Sequence, residues 1–384
     1  MISGFNRGAK RIFLIFIFFS VDILSAQNVA DFLKKEGADA GFSPFVRIGI
    51  KERISSFELE GDAQIELNNT VSGSIQGKYF VSAAGKTAIK VGDELYFSDA
   101  IKFIPKFSFL SVGKKIFRGS IEVHNKNGLL VVVNDLDLDD YVKGVINKEI
   151  IPSWPPEAKK VQAVLARTYA VYQKIFSPKN SLYDMAPTVI DQVYGGLGKE
   201  DLSANDAVSE TRGEILTYGN MPAQIFFHST CGGATASGSE VWGKETPYLQ
   251  SVPCLYCSKS KLYRWRRALP EAGVLKSLKK SGVKIENIES IEVLRTARRV
   301  KFVLINGSIK IPANTFRSYL GYSVIWSNDF SAEKKDSELV FSGRGGGHGV
   351  GCCQWGMAEM AKDGRKYEEI LKYYLKGTVI KKIY

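Results

Sequence analysis

The spacing of apolar residues changes at Leu136, and that change constrains the fold more than any other feature of the chain. Upstream, from Phe45 to about Val133, short apolar stretches such as FVRIGI, FELEG, AQIEL, YFVSA and GLLVVVN alternate with turn residues. Runs rich in Val, Ile and Phe and broken at Gly or Asn read as strands, and HNKNG at 124–128 reads as a hairpin turn. Downstream, Leu138, Val142, Val145 and Ile146 recur at helical spacing. The switch predicts an α+β fold with a β-rich N-terminal region followed by a helical elbow and further strands.

A second β-rich stretch is expected from about Thr188 to Gln250, then a charged helix near 270–281 and strands over ESIEVLRT and VKFVLING. A glycine-rich loop, 343–351, precedes two helical stretches, 354–362 and 367–375. With 384 residues, 45% of them hydrophobic, disorder is excluded and length alone suggests two or three domains. No internal repeat and no Pro- or Ser-rich linker divides the chain, so the lobes read as interleaved in one body.

The net charge of +12 favours polyanionic partners: nucleic acid, anionic lipid or an acidic wall polymer. The N-terminus narrows that choice. Arg7, Lys10 and Arg11 precede an apolar run from Ile12 to Phe19, and the small pair Ser25-Ala26 precedes Gln27, the pattern of a signal peptide over residues 1–26. The apolar run is shorter than the roughly 20 residues that span a bilayer, with an uncleaved anchor as the alternative. Removing residues 1–26 takes away three positive charges and one negative and leaves +10. The chain is therefore expected to be exported to the periplasm or cell envelope, where it meets envelope polymers and not nucleic acid.

Continuing the helical row from Val142 by seven, or from Val145 by four, lands on Glu149. A carboxyl held against apolar groups loses hydration of its ionised form, so its pKa rises and it can act as a general acid near neutral pH. The alternatives are that Glu149 swings out to water at a fraying helix end or pairs with Arg167. Asp139, Asp140, Lys143 and Asn147 fall toward the opposite, solvated side. The segment IPSWPP at 151–156 forces a corner, since prolines are tolerated at a helix first turn. Arg167 on the next helix could bind a substrate carboxylate bidentately or pair with a nearby acid to hold the elbow.

His228 and Cys231 are spaced H-x2-C, and Cys254 and Cys257 C-x2-C. Two short-spaced pairs of soft ligands suit a closed tetrahedral zinc site. Disulfides compete with that reading in an exported chain, although five cysteines, with Cys352 and Cys353 adjacent, pair awkwardly. The glycine-rich loop lacks the Lys-Ser or Lys-Thr of a phosphate-binding loop and fits no G-x-G-x-x-G. Its glycines let the backbone approach a ligand or another segment closely, displaying Arg344 and His348. His348 reads as functional or as a buried structural histidine.

Six ordered motifs then carry a resemblance to the SpoIID/LytB family: FRGSIEV at 117–123, DLDDYVKGVINKEIIPSWPPEAKKVQAVLARTYAVY at 137–172, DQVYGG at 191–196, FHSTCGGATASGSEVWG at 227–243, PYLQSV at 247–252 and GRGGGHGVGCCQWGMAEMAKDG at 343–364. The resemblance runs from about Phe45 to the C-terminus and implies a catalytic domain over 116–384 behind a β-rich region over 27–115. It implies action on peptidoglycan, as a lytic transglycosylase on glycan strands stripped of stem peptides or, as an alternative, as a non-catalytic binder that enhances an N-acetylmuramoyl-L-alanine amidase. Glu149 matches the family's catalytic acid, while Arg167, Tyr169, Gln192, Tyr194, Ser229, Arg344, His348 and Gln354 fall in motifs that look like groove lining. Zinc in some members favours a metal reading of His228, Cys231, Cys254 and Cys257. The chain departs from the family pattern at Lys148 beside the acid, at Gly346 where an aromatic is common, and at Cys352-Cys353.

Overall fold

The computed structural model describes residues 44–107, 109–176, 178, 181–187 and 192–384; the expected signal peptide and Asp191 lie outside them. The alternating N-terminal stretches form two six-stranded sheets. One runs, edge to edge, Phe45–Ile54, Leu129–Asp137, Ser120–Lys126, Ala100–Pro105, Ala63–Leu67 and Thr70–Ile75. The other runs Lys115–Arg118, Phe109–Val112, Ser56–Glu60, Lys78–Ala84, Ala88–Val91 and Glu94–Tyr96. Alternate residues of both sheets, among them Ile48, Leu59, Val81, Phe103, Ile121 and Val132, are fully buried in one core. Asn127 and Gly128, both at positive φ, close the hairpin between Lys126 and Leu129, the two-residue loop whose twist matches that of its strands.

The sandwich continues past residue 115 to Asp137, and the last strand feeds straight into a helix, Leu138–Glu149. Asp137 caps it, its carboxylate accepting from the N–H groups of Asp139 (2.8 Å) and Asp140 (3.3 Å). The proline corner follows, and Pro156 opens a long helix, Pro156–Phe176, most of whose residues to Val171 are buried. It packs on the acid-bearing helix and on the closing helices Gln354–Lys362 and Tyr367–Tyr374.

The stretch expected to be β-rich, 188–250, differs. Among its described residues it holds a helix, Leu202–Glu210, capped by Asp201, and a single strand longer than two residues, Glu214–Tyr218. Gly and Ser break its Val- and Ile-containing segments before they reach strand length.

Residues 265–341 also depart from one interleaved body. Their strands pair only with each other, as the sheets Trp265–Pro270, Glu338–Arg344, Asp329–Lys335 and Ile291–Thr296, Arg299–Ile305, Ile309–Pro312. With helices Glu271–Lys280 and Ala313–Leu320 they bury a separate core around Leu278, Val303, Phe316 and Phe341. The molecule is thus α+β, with a main body and a second lobe. Among the described residues, no helix is long and apolar enough to cross a membrane.

Candidate functional site

Glu149 is the last residue of its helix; Ile150 is already extended (φ −126°, ψ 168°), leading into the prolines. Its carboxylate does not swing out to water. Oε1 accepts the Val193 N–H at 2.6 Å, and the Glu149 main-chain carbonyl accepts from Gln354 Nε2 at 3.1 Å. Gln354 also lies 3.4 Å from Oε1 of the buried Gln162 on the long helix. Two segments therefore hold this half-buried residue, Val193 at its carboxylate and Gln354 at its main chain, the latter anchored in turn on the long helix. Burial raises its pKa above the ordinary carboxylate range, opposed by the Val193 hydrogen bond, and among the described residues no cation pairs with it. Lys148 is exposed.

Arg167 is fully buried and spends its charge elsewhere. Its Nε and Nη2 reach Asp139 Oδ1 at 2.8 and 2.7 Å, and Nη1 and Nη2 donate to the carbonyls of Glu214 (3.1 Å) and Val208 (3.3 Å). Of the two alternatives for Arg167 the structure shows the second, an arginine paired with an acid inside the elbow, and its full burial leaves no surface for the substrate contact that the resemblance implied; Asp139 is a correction, lying inside with it at 8% exposure and not on the solvated face. The row 139, 142, 146 also has helical spacing, which is how Asp139 reaches the interior.

Gln192 and Tyr194 likewise support the site from inside. The Tyr141 hydroxyl donates to Gln192 Oε1 (2.9 Å), and the Tyr194 hydroxyl donates to Asn134 Oδ1 (2.9 Å). Both are buried, and burial drives the Tyr194 phenol far above its usual range. They flank Val193 and so fix the N–H that holds Glu149. The absence of a side chain at Gly144 makes room, since a Cβ there would sit 2.5 Å from the Tyr194 ring. Tyr169 is half-buried, its hydroxyl accepting from Gln173 at 3.3 Å. Trp154 of the elbow meets Trp355 edge-on at 5.5 Å, beside Gln354.

The glycine loop approaches protein, not an open ligand space. Gly346 and Thr230 exchange N–H···O bonds (2.8 and 3.1 Å), Gly347 donates to Trp326 O (2.7 Å), and Ala236 donates to Gly349 O (2.8 Å). Gly351, at φ 74°, passes so close to the Phe226 carbonyl that no side chain fits. Ser229 acts through its carbonyl, which accepts the Trp355 N–H at 3.0 Å. Arg344 is exposed at the end of its strand, whereas His348 packs against Phe226, His228 and Trp242 and accepts the Val350 N–H at Nδ1 (3.1 Å). Burial lowers its pKa to about 4, so it is neutral at pH 7.

The sulfur atoms of Cys231, Cys254, Cys257 and Cys353 lie within 4.8 Å of one another, all buried, and could hold a metal ion. The fourth member is Cys353, not His228. The imidazole of His228 bonds Val350 O through Nδ1 at 3.0 Å, and its pKa is lowered to about 3, chiefly by burial. The parallel pairing of Phe227–His228 with Cys352–Cys353 is what brings Cys353 to the cluster. That register and the Val193 N–H are the functional features the sequence reading missed; the unassigned cysteine pair was the one available signal for the first, and a main-chain donor leaves none.

A family model described as Stage II sporulation protein matches residues 126–218, the segment that carries Glu149, Arg167 and Val193. An uncharacterized protein of Brachyspira hyodysenteriae is 35% identical over 296 residues, covering 77% of this chain and 80% of that protein. Stage II sporulation protein D of Bacillus subtilis is 33% identical over 269 residues, covering 65% of this chain and 75% of that protein. The chain belongs to the SpoIID/LytB family. An amidase enhancer of Bacillus subtilis is 27% identical over 289 residues, matching 62% of this chain but only 40% of the enhancer. The sulfur cluster and glycine loop of this SpoIID/LytB chain lie outside the span of the family model.

Proposed function

We propose that this protein is an exported peptidoglycan lytic transglycosylase with Glu149 as both acid and base. The observation that carries the reading is the state of that carboxyl: half-buried, without a cationic partner among the described residues, raised in pKa and held at Oε1 by a main-chain N–H. With Oε1 engaged, Oε2 is the oxygen that carries the proton. Glu149 donates it to the oxygen bridging N-acetylmuramic acid and N-acetylglucosamine as the bond to the muramic C1 breaks. The resulting carboxylate takes the proton of the 6-hydroxyl, whose oxygen closes on C1 as a 1,6-anhydro ring. The acid is regenerated, and neither water nor the second carboxylate of a hydrolase is needed. Digestion of denuded glycan strands is expected to release 1,6-anhydro ends by mass spectrometry; hydrated reducing ends, heavier by one water, would reject the scheme.

The similarity to an amidase enhancer favours a second reading, a non-catalytic glycan binder that activates an amidase. It predicts sedimentation with peptidoglycan and no products in the same digest.

Zinc suits the cluster. Four buried thiols within 4.8 Å of one another supply the number and kind of donors that a closed tetrahedral zinc site takes, and burial opposes their joint ionisation unless a cation compensates. The ion would tie Cys231, the 254–257 turn and Cys353 together beside Gln354, a structural role. Elemental analysis should find about one zinc per chain, lost in Cys353→Ser and kept in His228→Ala. Retention in the first variant with loss in the second would reverse the ligand assignment.

A further inference from the structure

Arg299, at the start of a strand of the second lobe, is buried and, among the described residues, has no ion pair. Its surroundings do not balance it. Arg295 and Arg298 share Asp329 at 3.3 and 3.1 Å, and Glu240 Oε1 takes the main-chain N–H groups of Arg298 (3.1 Å) and Arg299 (3.0 Å). Three guanidiniums thus meet two carboxylates, and one positive charge is left over in a buried place, which opposes folding unless something compensates it. The guanidinium is closely seated: it lies on Gly349, where a Cβ would come within 2.7 Å of Nη2, and Nη2 donates to the carbonyls of Ala234 (3.2 Å) and Cys231 (3.5 Å). The Cys231 carbonyl shares its peptide unit with the Gly232 N–H, which donates to the Cys257 sulfur. The Cys231 N–H donates to Cys353 Sγ at 3.3 Å, and the buried Tyr374 hydroxyl lies 3.1 Å from Cys254 Sγ. Three of the four clustered sulfurs therefore face hydrogen-bond donors, and Arg299 polarises one of those donors from its far end. Donors and a nearby cation are what thiolates call for, and thiols do not.

We propose that Arg299 is the counter-charge of the metal-loaded sulfur cluster, so that metal binding and docking of the second lobe on the main body are coupled. The inference rests on the zinc reading above. A divalent ion on four thiolates leaves two negative charges, opposite in sign to the excess on the lobe. The cluster belongs to the main body, Arg299 to the second lobe, and the lobe's Trp326 carbonyl also takes the Gly347 N–H of the glycine loop. Coupling is reciprocal: the ion tightens the hold of the lobe by the factor by which the docked lobe tightens the hold on the ion.

The test is the zinc affinity of the full chain, by competition with a chromogenic chelator, for wild type, R299M and R299K, with the cobalt(II) absorption spectrum of each reporting the ligand set. R299M should bind zinc about ten- to a hundredfold more weakly, the usual effect of removing an outer partner of a metal site, and R299K, which keeps the charge, should regain most of that loss. All three should show the same four-sulfur cobalt bands, since no ligand changes. Hydrogen exchange in the wild type needs no variant to fold. Removing zinc should speed exchange at the amides of Arg299 and Gly347, which bond across the junction, and leave the lobe's own core around Val303 and Phe316 protected. Equal zinc affinity of wild type and R299M would overturn the counter-charge, as would an R299K as weak as R299M, the mark of a packing role. Unchanged exchange at Arg299 and Gly347 on zinc removal would overturn the coupling. A wild type that binds no zinc would reject the zinc reading itself, an outcome distinct from a wild type and R299M that bind it equally.

Discussion

Glu149→Gln is expected to slow release of anhydro products about a hundred to ten thousand fold, the range that a positioned proton donor contributes, with strand binding retained. The amide oxygen can still accept the Val193 N–H, so the clamp survives while the proton is lost. Activity within a factor of about two of wild type would remove the acid from the scheme. The same variant has a second readout. The folded-state pKa of Glu149 is raised, so its contribution to stability is complete below the unfolded value of about 4.3 and is lost as pH rises through the folded value. A permanently neutral Gln escapes that loss. Glu149→Gln should therefore melt above wild type at pH 8 and level with it at pH 4; the opposite order would mean that the native site stabilises the ionised form.

Asp139→Ala should lower unfolding free energy by about 3–5 kcal/mol, because it leaves the fully buried Arg167 guanidinium without its counter-charge. That is a large share of the 5–15 kcal/mol that typically holds a domain together. Urea titration is the measurement. The paired replacement of Asp139 by Leu and Arg167 by Met should cost much less than either single change, since neither charge is then stranded. If Asp139→Ala costs under about 1 kcal/mol, the pair does not hold the elbow. Glycan cleavage by a folded Arg167→Met variant separates this internal role from substrate contact, which would appear as a raised KM.

What could be read ahead of the structure follows from how far apart the interacting residues lie. The hairpin at Asn127-Gly128, the helix ending on Glu149 and the helices from Gln354 and Tyr367 are set by neighbours within a few residues, and their patterns are visible in the chain. Cys353 joins three cysteines some 100 residues upstream only because residues 227–228 and 352–353 pair in parallel, a contact without local periodicity. The partner of Arg167, 28 residues upstream on another helix, is likewise set by tertiary packing. Asp139 is charged and so reads as solvent-facing, although its spacing from Val142 and Ile146 matches the buried row. The glycine loop showed that close approach was needed; which segment approached depended on a fold not yet assembled.

The second lobe leaves and rejoins the main body through two strands that are hydrogen-bonded neighbours, Trp265–Pro270 and Glu338–Arg344. It behaves as a cartridge: its core is its own, and its two connections emerge side by side. Sequence change between those strands is held in check at a few points only, where Arg298 and Arg299 bond Glu240, Gly232, Cys231 and Ala234 of the main body and the Trp326 carbonyl takes the Gly347 N–H; elsewhere the lobe can vary against its own core without touching Glu149.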